Sequence, residues 1–309
     1  MDLAYLRAHP EHLPTFLTHQ RIRETPVTGG SICQARRLTL EDGASVFAKS
    51  MEAGAPPDFF ATEAKGLRWL AEAGGAPVPE VIADLPQLLV LEWIDPGEPD
   101  PAAAERFGRE LAVTHRAGAE TFGAPWPGFI GSLPQDNTPP EDSIPPEDRI
   151  PPGDSTPTRK GWAPWFAEHR LMPYLRMAAQ RQALADTDLV ALDALIGDIE
   201  AKAGPAEPPA RLHGDLWPGN VMWAAGGRAY LVDPAAHGGH RETDLAQLAL
   251  FGGTPYLERI LAAYDEAYPL AEGWRERVPL HQLHLLLVHA ALFGGAYRSS
   301  VMAAVRALS

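Results

Sequence analysis

Asp215, Asn220 and Asp233 carry the clearest chemistry in this chain. The first two stand in His213-Gly214-Asp215-Leu216-Trp217-Pro218-Gly219-Asn220, and Asp233-Pro234-Ala235 follows after a short gap. A carboxylate can accept the proton of an attacking hydroxyl and hold that oxygen in line with a phosphorus atom. A carboxamide and a second carboxylate are hard oxygen ligands suited to Mg²⁺. An Asp, four intervening residues, an Asn and a later Asp together have the spacing that phosphoryl transfer from ATP requires. The reading that follows is Asp215 as base, with Asn220 and Asp233 as metal ligands. Taken singly, each is a common turn residue; the joint pattern carries the inference.

Such a reaction needs a phosphate cradle and a cation on the nucleotide. Gly29-Gly30-Ser31 lies between two strand-like runs, where backbone N–H groups can approach phosphate oxygens. Lys49 ends the strand-like run Val46-Phe47-Ala48-Lys49, and Glu63 lies on the helix expected next. A strand lysine paired with a helix acid is the arrangement that holds nucleotide phosphates.

The elements expected to position these residues fall into two parts. Residues 1–93 read as a small β-rich lobe. Strands are expected over 34–40, 46–49, 78–83 and 88–94, with a hairpin turn at Glu41-Asp42-Gly43. A helix is expected over 58–73, with Asp58 as N-cap, Gly74-Gly75 as stop, and Phe60, Ala64, Leu67 and Leu70 as its apolar stripe. Pro96-Gly97-Glu98-Pro99 makes 94–99 a hinge. Residues 100–309 read as mostly helical, with helices over 165–185, 189–203, 242–251, 256–268, 275–293 and 300–308. Short strands at 212, 221–223 and 230–232 frame the catalytic segment. Three copies of a Pro-Pro unit, starting at Pro139, Pro145 and Pro151, mark 137–160 as an exposed, partly polyproline-like loop. The expected fold is α+β: a small antiparallel-sheet lobe beside a larger helical one.

The sequence resembles the fructosamine kinase (ketosamine kinase) family, within the kinase-like phosphotransferases that include aminoglycoside phosphotransferases and choline kinases. The resemblance rests on Gly29-Gly30-Ser31-Ile32, Val46-Phe47-Ala48-Lys49, Gly128-Phe129-Ile130-Gly131, residues 165–171, 213–220 and 233–235, Glu242-Thr243-Asp244-Leu245-Ala246, and Phe293-Gly294-Gly295. It implies a protein-kinase-like bilobal fold. It also implies ATP- and Mg²⁺-dependent phosphorylation of a sugar hydroxyl on ketoamines, a step that releases the amine and repairs glycation. Carried over, Lys49 holds phosphates and Glu63 orients it. By the same analogy the purine meets the backbone of Glu92, Trp93 and Ile94, Trp217 stacks on the substrate, and Asp244 braces the catalytic loop. His289 matches a family histidine assigned to substrate. It shares an apolar helix with His281 and His284, where a core role competes. Val288 precedes it where relatives often have Asn. Cys33 lies two residues from the position where some relatives carry a cysteine.

Composition bounds the rest. A chain of 309 residues can bury a large core, and a net charge of −14 argues against nucleic acid or an anionic membrane as partner. No apolar run of membrane-spanning length and no secretory signal is read, so neither a span nor export is expected. The single cysteine fits a reducing cytoplasm. His213 and His237 have no metal-site spacing. Two other functions stay open: transfer to an aminoglycoside or choline-like amine, and a non-catalytic nucleotide-binding module.

Overall fold

The computed structural model describes residues 1–19, 22–28, 32–140 and 161–309. Gly29, Gly30 and Ser31, expected to cradle phosphate, and most of the proline-rich repeat lie outside these. The chain opens with two short helices, α1 (Leu3–Ala8) and α2 (Leu13–Thr18), which no apolar period announces. Strands β1 (Arg23–Val27), β2 (Gln34–Thr39) and β3 (Ser45–Ser50), helix α3 (Phe59–Glu72), and strands β4 (Val81–Leu85) and β5 (Leu88–Glu92) complete the first lobe. The five strands form one antiparallel sheet in the order β1-β2-β3-β5-β4.

Strand alternation assigns the two faces. Val46 and Ala48 join Leu6, Leu13, Leu38 and Val90 in one apolar cluster. Phe47 falls on the other face, against Phe60, Ala64, Leu67, Leu89 and Leu91. Lys49, two residues after Phe47, therefore points to the face that α3 covers, and Glu63 lies on that helix's buried side.

Two expectations are corrected here. Asp58 precedes α3 but adopts φ 61° and makes no side-chain cap bond, because a capping side chain needs an extended backbone to reach back. The strand expected over 78–83 begins instead at Val81; Pro77 and Pro79 flank Val78 and cannot donate to a ladder.

Helix α4 (Pro101–Arg116) starts the second lobe, followed by the hairpin β6 (Gly128–Ile130) and β7 (Leu133–Gln135). The single helix expected over 165–185 is interrupted. Helix α5 (Trp162–Phe166) passes through a π turn (Ala167–Leu171) into α6 (Met172–Gln180). Pro173 has no N–H to offer the α-helical ladder, which accounts for the wide turn beside it. Helices α7 (Asp186–Gly197) and α8 (Ile199–Lys202) replace the one expected over 189–203. The catalytic segment supplies β8 (Ala210–Leu212), β9 (Val221–Ala224), β10 (Arg228–Leu231) and β11 (His237–Gly239). Four helices close the chain: α9 (Glu242–Gln247), α10 (Leu257–Ala267), α11 (Trp274–Phe293) and α12 (Arg298–Ala307).

The stretch 274–307 contains one 18-residue window, of mean hydropathy 1.2, that is long and apolar enough to cross a membrane by length and composition alone. Helix α11 nevertheless places Leu280, Leu283, Leu285, Leu286, Leu287 and Val288 in the protein core, and a 3-10 turn separates it from α12.

Helices α4 and α10 cross closely at Gly108. A Cβ there would lie 2.2 Å from the carbonyl oxygen of Ile260. Alanine normally gains about 1 kcal/mol over glycine inside a helix. At Gly108 the backbone clash outweighs that gain, so Gly108→Ala is expected to lose about 1–3 kcal/mol. Thermal unfolding checks this: a raised Tm would contradict the close crossing.

Candidate active site

The catalytic loop is built from the backbone outward. Asp244 and Gln247, one turn apart on α9, hold it from below. Asp244 is fully buried and accepts from the backbone N–H of His213 (2.8 Å) and of Gly214 (2.9 Å). Gln247 Oε1 accepts from Leu216 N–H at 2.7 Å. His115 on α4 lies 3.1 Å from the Asp244 carboxylate through Nε2, and its Nδ1 lies 2.8 Å from the Tyr264 hydroxyl. A proton on Nε2 satisfies both contacts: Nε2 donates to Asp244, and Nδ1 accepts from Tyr264.

His213 joins this loop to the strand that delivers Asp233. Its Nε2–H donates to the Val232 carbonyl (2.9 Å), and its Nδ1 accepts from Asp215 N–H (3.3 Å). Burial holds its ring below the usual histidine pKa, which keeps the neutral tautomer that both bonds require. Gly214 has φ 83°, and a Cβ there would lie 2.3 Å from the Ala235 carbonyl oxygen; only glycine fits.

The expected polar residues form two contact groups, Asn220 with Asp215 and Lys49 with Glu63 and Asp233. Asn220 Nδ2 donates to the Asp215 carbonyl (2.7 Å) and to its Oδ2 (3.1 Å). Lys49 Nζ reaches across from the sheet to Glu63 (2.7 Å) and to Asp233 Oδ1 (2.9 Å). Burial pushes the Lys49 pKa down, but Asp233 and Glu63 overcome this and keep the ammonium charged well above the usual lysine range. Burial raises Glu63 to about 7 in spite of Lys49. Burial, with the charge of Asp233 added, raises Asp215 well above the carboxylate range. Asp233 is itself held below its usual value by the neighbouring Lys49 ammonium.

Asp233 adopts the left-handed conformation, φ 55°, an unusual state for a residue with a side chain. Its side chain stays 49 % exposed, so one carboxylate oxygen remains open beside the one that binds Lys49. The amide nitrogen of Asn220 is spent on Asp215, which leaves its Oδ1 without a hydrogen bond among the described residues. A free carboxylate oxygen and a free amide oxygen are a donor set suited to Mg²⁺.

Other expected residues are placed as follows. The Glu92 N–H is already bonded to the Glu80 carbonyl (2.9 Å), whereas no hydrogen bond engages the backbone of Trp93 or Ile94 among the described residues. The next segment is strapped to the β9–β10 hairpin: Gly97 N–H donates to Trp223 O (2.8 Å) and Ala225 N–H to Asp95 O (2.9 Å). The Trp217 ring lies flat over Gly219, where a Cβ would sit 2.1 Å from it. Trp217 and His289 belong to one group of rings, linked through Phe251. Cys33 is half-buried near Lys49, and burial raises its thiol pKa.

Several positioning residues escaped the sequence reading. Besides His115 and Gln247, Gln135 Nε2 donates to the Ala235 carbonyl at 3.2 Å. The fully buried Arg170 clamps Asn137 Oδ1 (2.7 Å) and the Asp136 carbonyl (2.5 Å). No local pattern marks them, because their partners are tens of residues away. His240, Glu242 and His281 form a buried cluster of metal-ligand composition that was also unforeseen. There Arg277 grips both Glu242 oxygens, at 2.6 and 2.8 Å, so the carboxylate is already neutralised by a guanidinium.

Burial lowers the pKa of six histidines: 213, 237, 240 (to about 3), 281, 284 and 289. A depressed folded-state pKa means that the unfolded chain takes up these protons first. Stability is therefore full above pH 6.5 and is lost as pH falls below it, by up to about 1.4 kcal/mol per pH unit for each histidine. Glu63 and Asp215, raised by burial, act in the opposite sense but are outnumbered. Urea midpoints are expected to drop steeply between pH 7 and pH 5, and His284→Leu is expected to flatten that slope. Midpoints independent of pH would contradict buried neutral rings.

An antiparallel sheet over a helical lobe, with a strand lysine bonded to a helix glutamate and to an aspartate after the catalytic hairpin, defines the kinase-like phosphotransferase class. The likeness extends to a choline kinase of Cryptosporidium parvum, 12% identical with a TM-score of 0.56, covering 98% of this chain and 92% of that one. The fructosamine kinase family profile matches residues 11–143 and 154–309, and the chain belongs to that family. A probable ketoamine kinase of Thermus thermophilus is 34% identical over 284 residues, 91% of this chain and 92% of its own. A Thermobifida fusca protein crystallised as a candidate fructosamine-3-kinase is 46% identical with a TM-score of 0.82, covering 93% of each chain.

Proposed function

We propose that this protein transfers the γ-phosphoryl group of ATP to a sugar hydroxyl of ketoamines, destabilising the adduct so that the amine is released. The observation that carries this reading is that Lys49 bonds both Glu63 and Asp233, and that the Asn220-bonded Asp215 feels the charge of Asp233, in a chain of the fructosamine kinase family. Asp215 takes the proton of the acceptor hydroxyl and orients its oxygen; the raised pKa of its carboxylate suits that task. Lys49, held by Glu63, binds nucleotide phosphates. Gly29, Gly30 and Ser31 cradle them through their backbone, and the backbone of Trp93 and Ile94 reads the purine. Asn220 and Asp233 hold Mg²⁺, which when bound neutralises charge on the phosphate oxygens. Trp217 and His289 contact the acceptor. On this reading residues 1–93 form the nucleotide lobe, 94–99 the hinge and 100–309 the catalytic and substrate lobe, and the enzyme works in the cytoplasm on free or protein-bound ketoamines.

The test is a panel of acceptors assayed with Mg²⁺ and ATP: ribulosyl- and fructosyl-lysine against aminoglycosides and choline. Phosphorylation of the ketoamines above the others is expected. Preference for an aminoglycoside or choline would move the acceptor to that class. ATP binding with no transfer to any of them would leave a nucleotide-binding module.

A further inference from the structure

The sequence repeats Phe-Gly-Gly at 251–253 and 293–295, and both triplets flank one group of rings beside the catalytic loop. The Phe251 ring lies 4.6 Å from His289, 5.9 Å from Trp217 (edge-on) and 6.0 Å from Tyr297. Phe293 lies 5.6 Å from His289. The group is not closed core: Phe251 is 42% exposed and Phe293 47%. Large apolar faces held in solvent beside a polar loop mark a binding surface.

The backbone at Phe251 adds a second observation. Three successive residues have positive φ: Phe251 (51°), Gly252 (104°) and Gly253 (80°). The glycines adopt this freely, but a bulky aromatic there is an outlier that persists only where its surroundings impose it. Residue 251 is thus held in an unfavourable conformation that leaves its ring half in water.

We infer that Phe251, backed by Tyr297, is the outer wall of the acceptor site and grips the alkyl or aryl arm of the ketoamine's amine. This rests on the acceptor reading above. The reacting hydroxyl must reach Asp215, in the half-buried loop, so the part of the acceptor farthest from it extends past Trp217 toward the more exposed rings. Aromatic faces favour an alkyl or aryl arm, and equally the protonated nitrogen that bears it.

The experiment uses ketoamines of one sugar with methylamine, butylamine and benzylamine, on the wild-type chain, Phe251→Gly and Phe251→Leu. In the wild type KM is expected to fall as the arm grows. Phe251→Gly is expected to raise KM for the benzylamine adduct about ten-fold and for the methylamine adduct several-fold less, with the change in KM rather than kcat. Its Tm is expected to hold or rise, because glycine relieves the strained φ; a purely structural phenylalanine would give a lower Tm. Phe251→Leu, which keeps the strain and loses the ring, should show an intermediate KM and a lower Tm. Equal KM shifts for all three adducts would overturn the assignment, as would a lowered Tm in Phe251→Gly with KM unmoved. If the wild type turns over none of the adducts, the acceptor reading fails separately. Calorimetric binding of the benzylamine adduct then decides whether Phe251 contacts it, and equal affinity in wild type and Phe251→Gly overturns the assignment.

Discussion

Asp215→Asn is expected to lower kcat by about 10²–10⁴ while nucleotide affinity changes little. The carboxylate sits between two influences, the amide nitrogen of Asn220 at 3.1 Å and the charge of Asp233, and burial adds to the second. An asparagine fills the same space but takes up no proton, so a hydroxyl brought to it stays a weak nucleophile. Lys49 and Asp233 bond each other directly and do not depend on Asp215, so the nucleotide contacts proposed for them should survive. Product release measured alongside calorimetric titration of ATP separates the two effects. Near-normal turnover would remove Asp215 from the chemistry. Loss of ATP binding in step with kcat would show that the substitution acts on the whole cleft.

Asp244→Ala is expected to cost about 3–5 kcal/mol of stability and most of the activity together. The carboxylate is fully buried and is the acceptor for two backbone N–H groups of the catalytic loop and for His115. Alanine leaves both N–H groups buried beside a void. The loop then keeps the Gln247 contacts to Leu216 N–H and the Gly214 carbonyl, the His213 contacts and the Asn220 bonds to Asp215, none of which replaces the lost carboxylate acceptor. His115→Phe is the milder companion. It keeps the packing against Tyr264, and it should lower kcat less than Asp244→Ala because the backbone acceptor remains. Urea unfolding and kcat measured on the same samples check both. A stable, active Asp244→Ala protein would mean that the loop holds itself.

What the sequence disclosed follows from how local each feature is. Asp215, Asn220 and Asp233 lie within one loop and hairpin, so their spacing alone pointed to a shared site. Lys49 and Glu63 were legible because a lysine ending a strand and an acid on the next helix match the kinase arrangement, and the two side chains do bond each other. The small lobe and the helical lobe were equally clear, since long periodic segments dominate each. Three-residue strands such as β6, β7 and β11 carry no period and went unseen. Helices α1 and α2 are too short to show a stripe. The interruption before α6 hinged on a single proline inside an otherwise regular pattern. Residues that brace the site from afar left no signal: His115 meets Asp244 across 129 positions, and Gln135 meets Ala235 across 100. Phe251 did leave one, the repeated Phe-Gly-Gly triplet, but its meaning needed the left-handed backbone and the neighbouring rings.

The most direct measurement is a crystal structure with a non-hydrolysable ATP analogue and Mn²⁺ in place of Mg²⁺, the metal located by its anomalous signal. The account predicts a manganese peak bonded to oxygens of Asp233 and Asn220, phosphates against Lys49, and the terminal phosphate facing Asp215. A nucleotide bound elsewhere, or a metal touching neither residue, would contradict it.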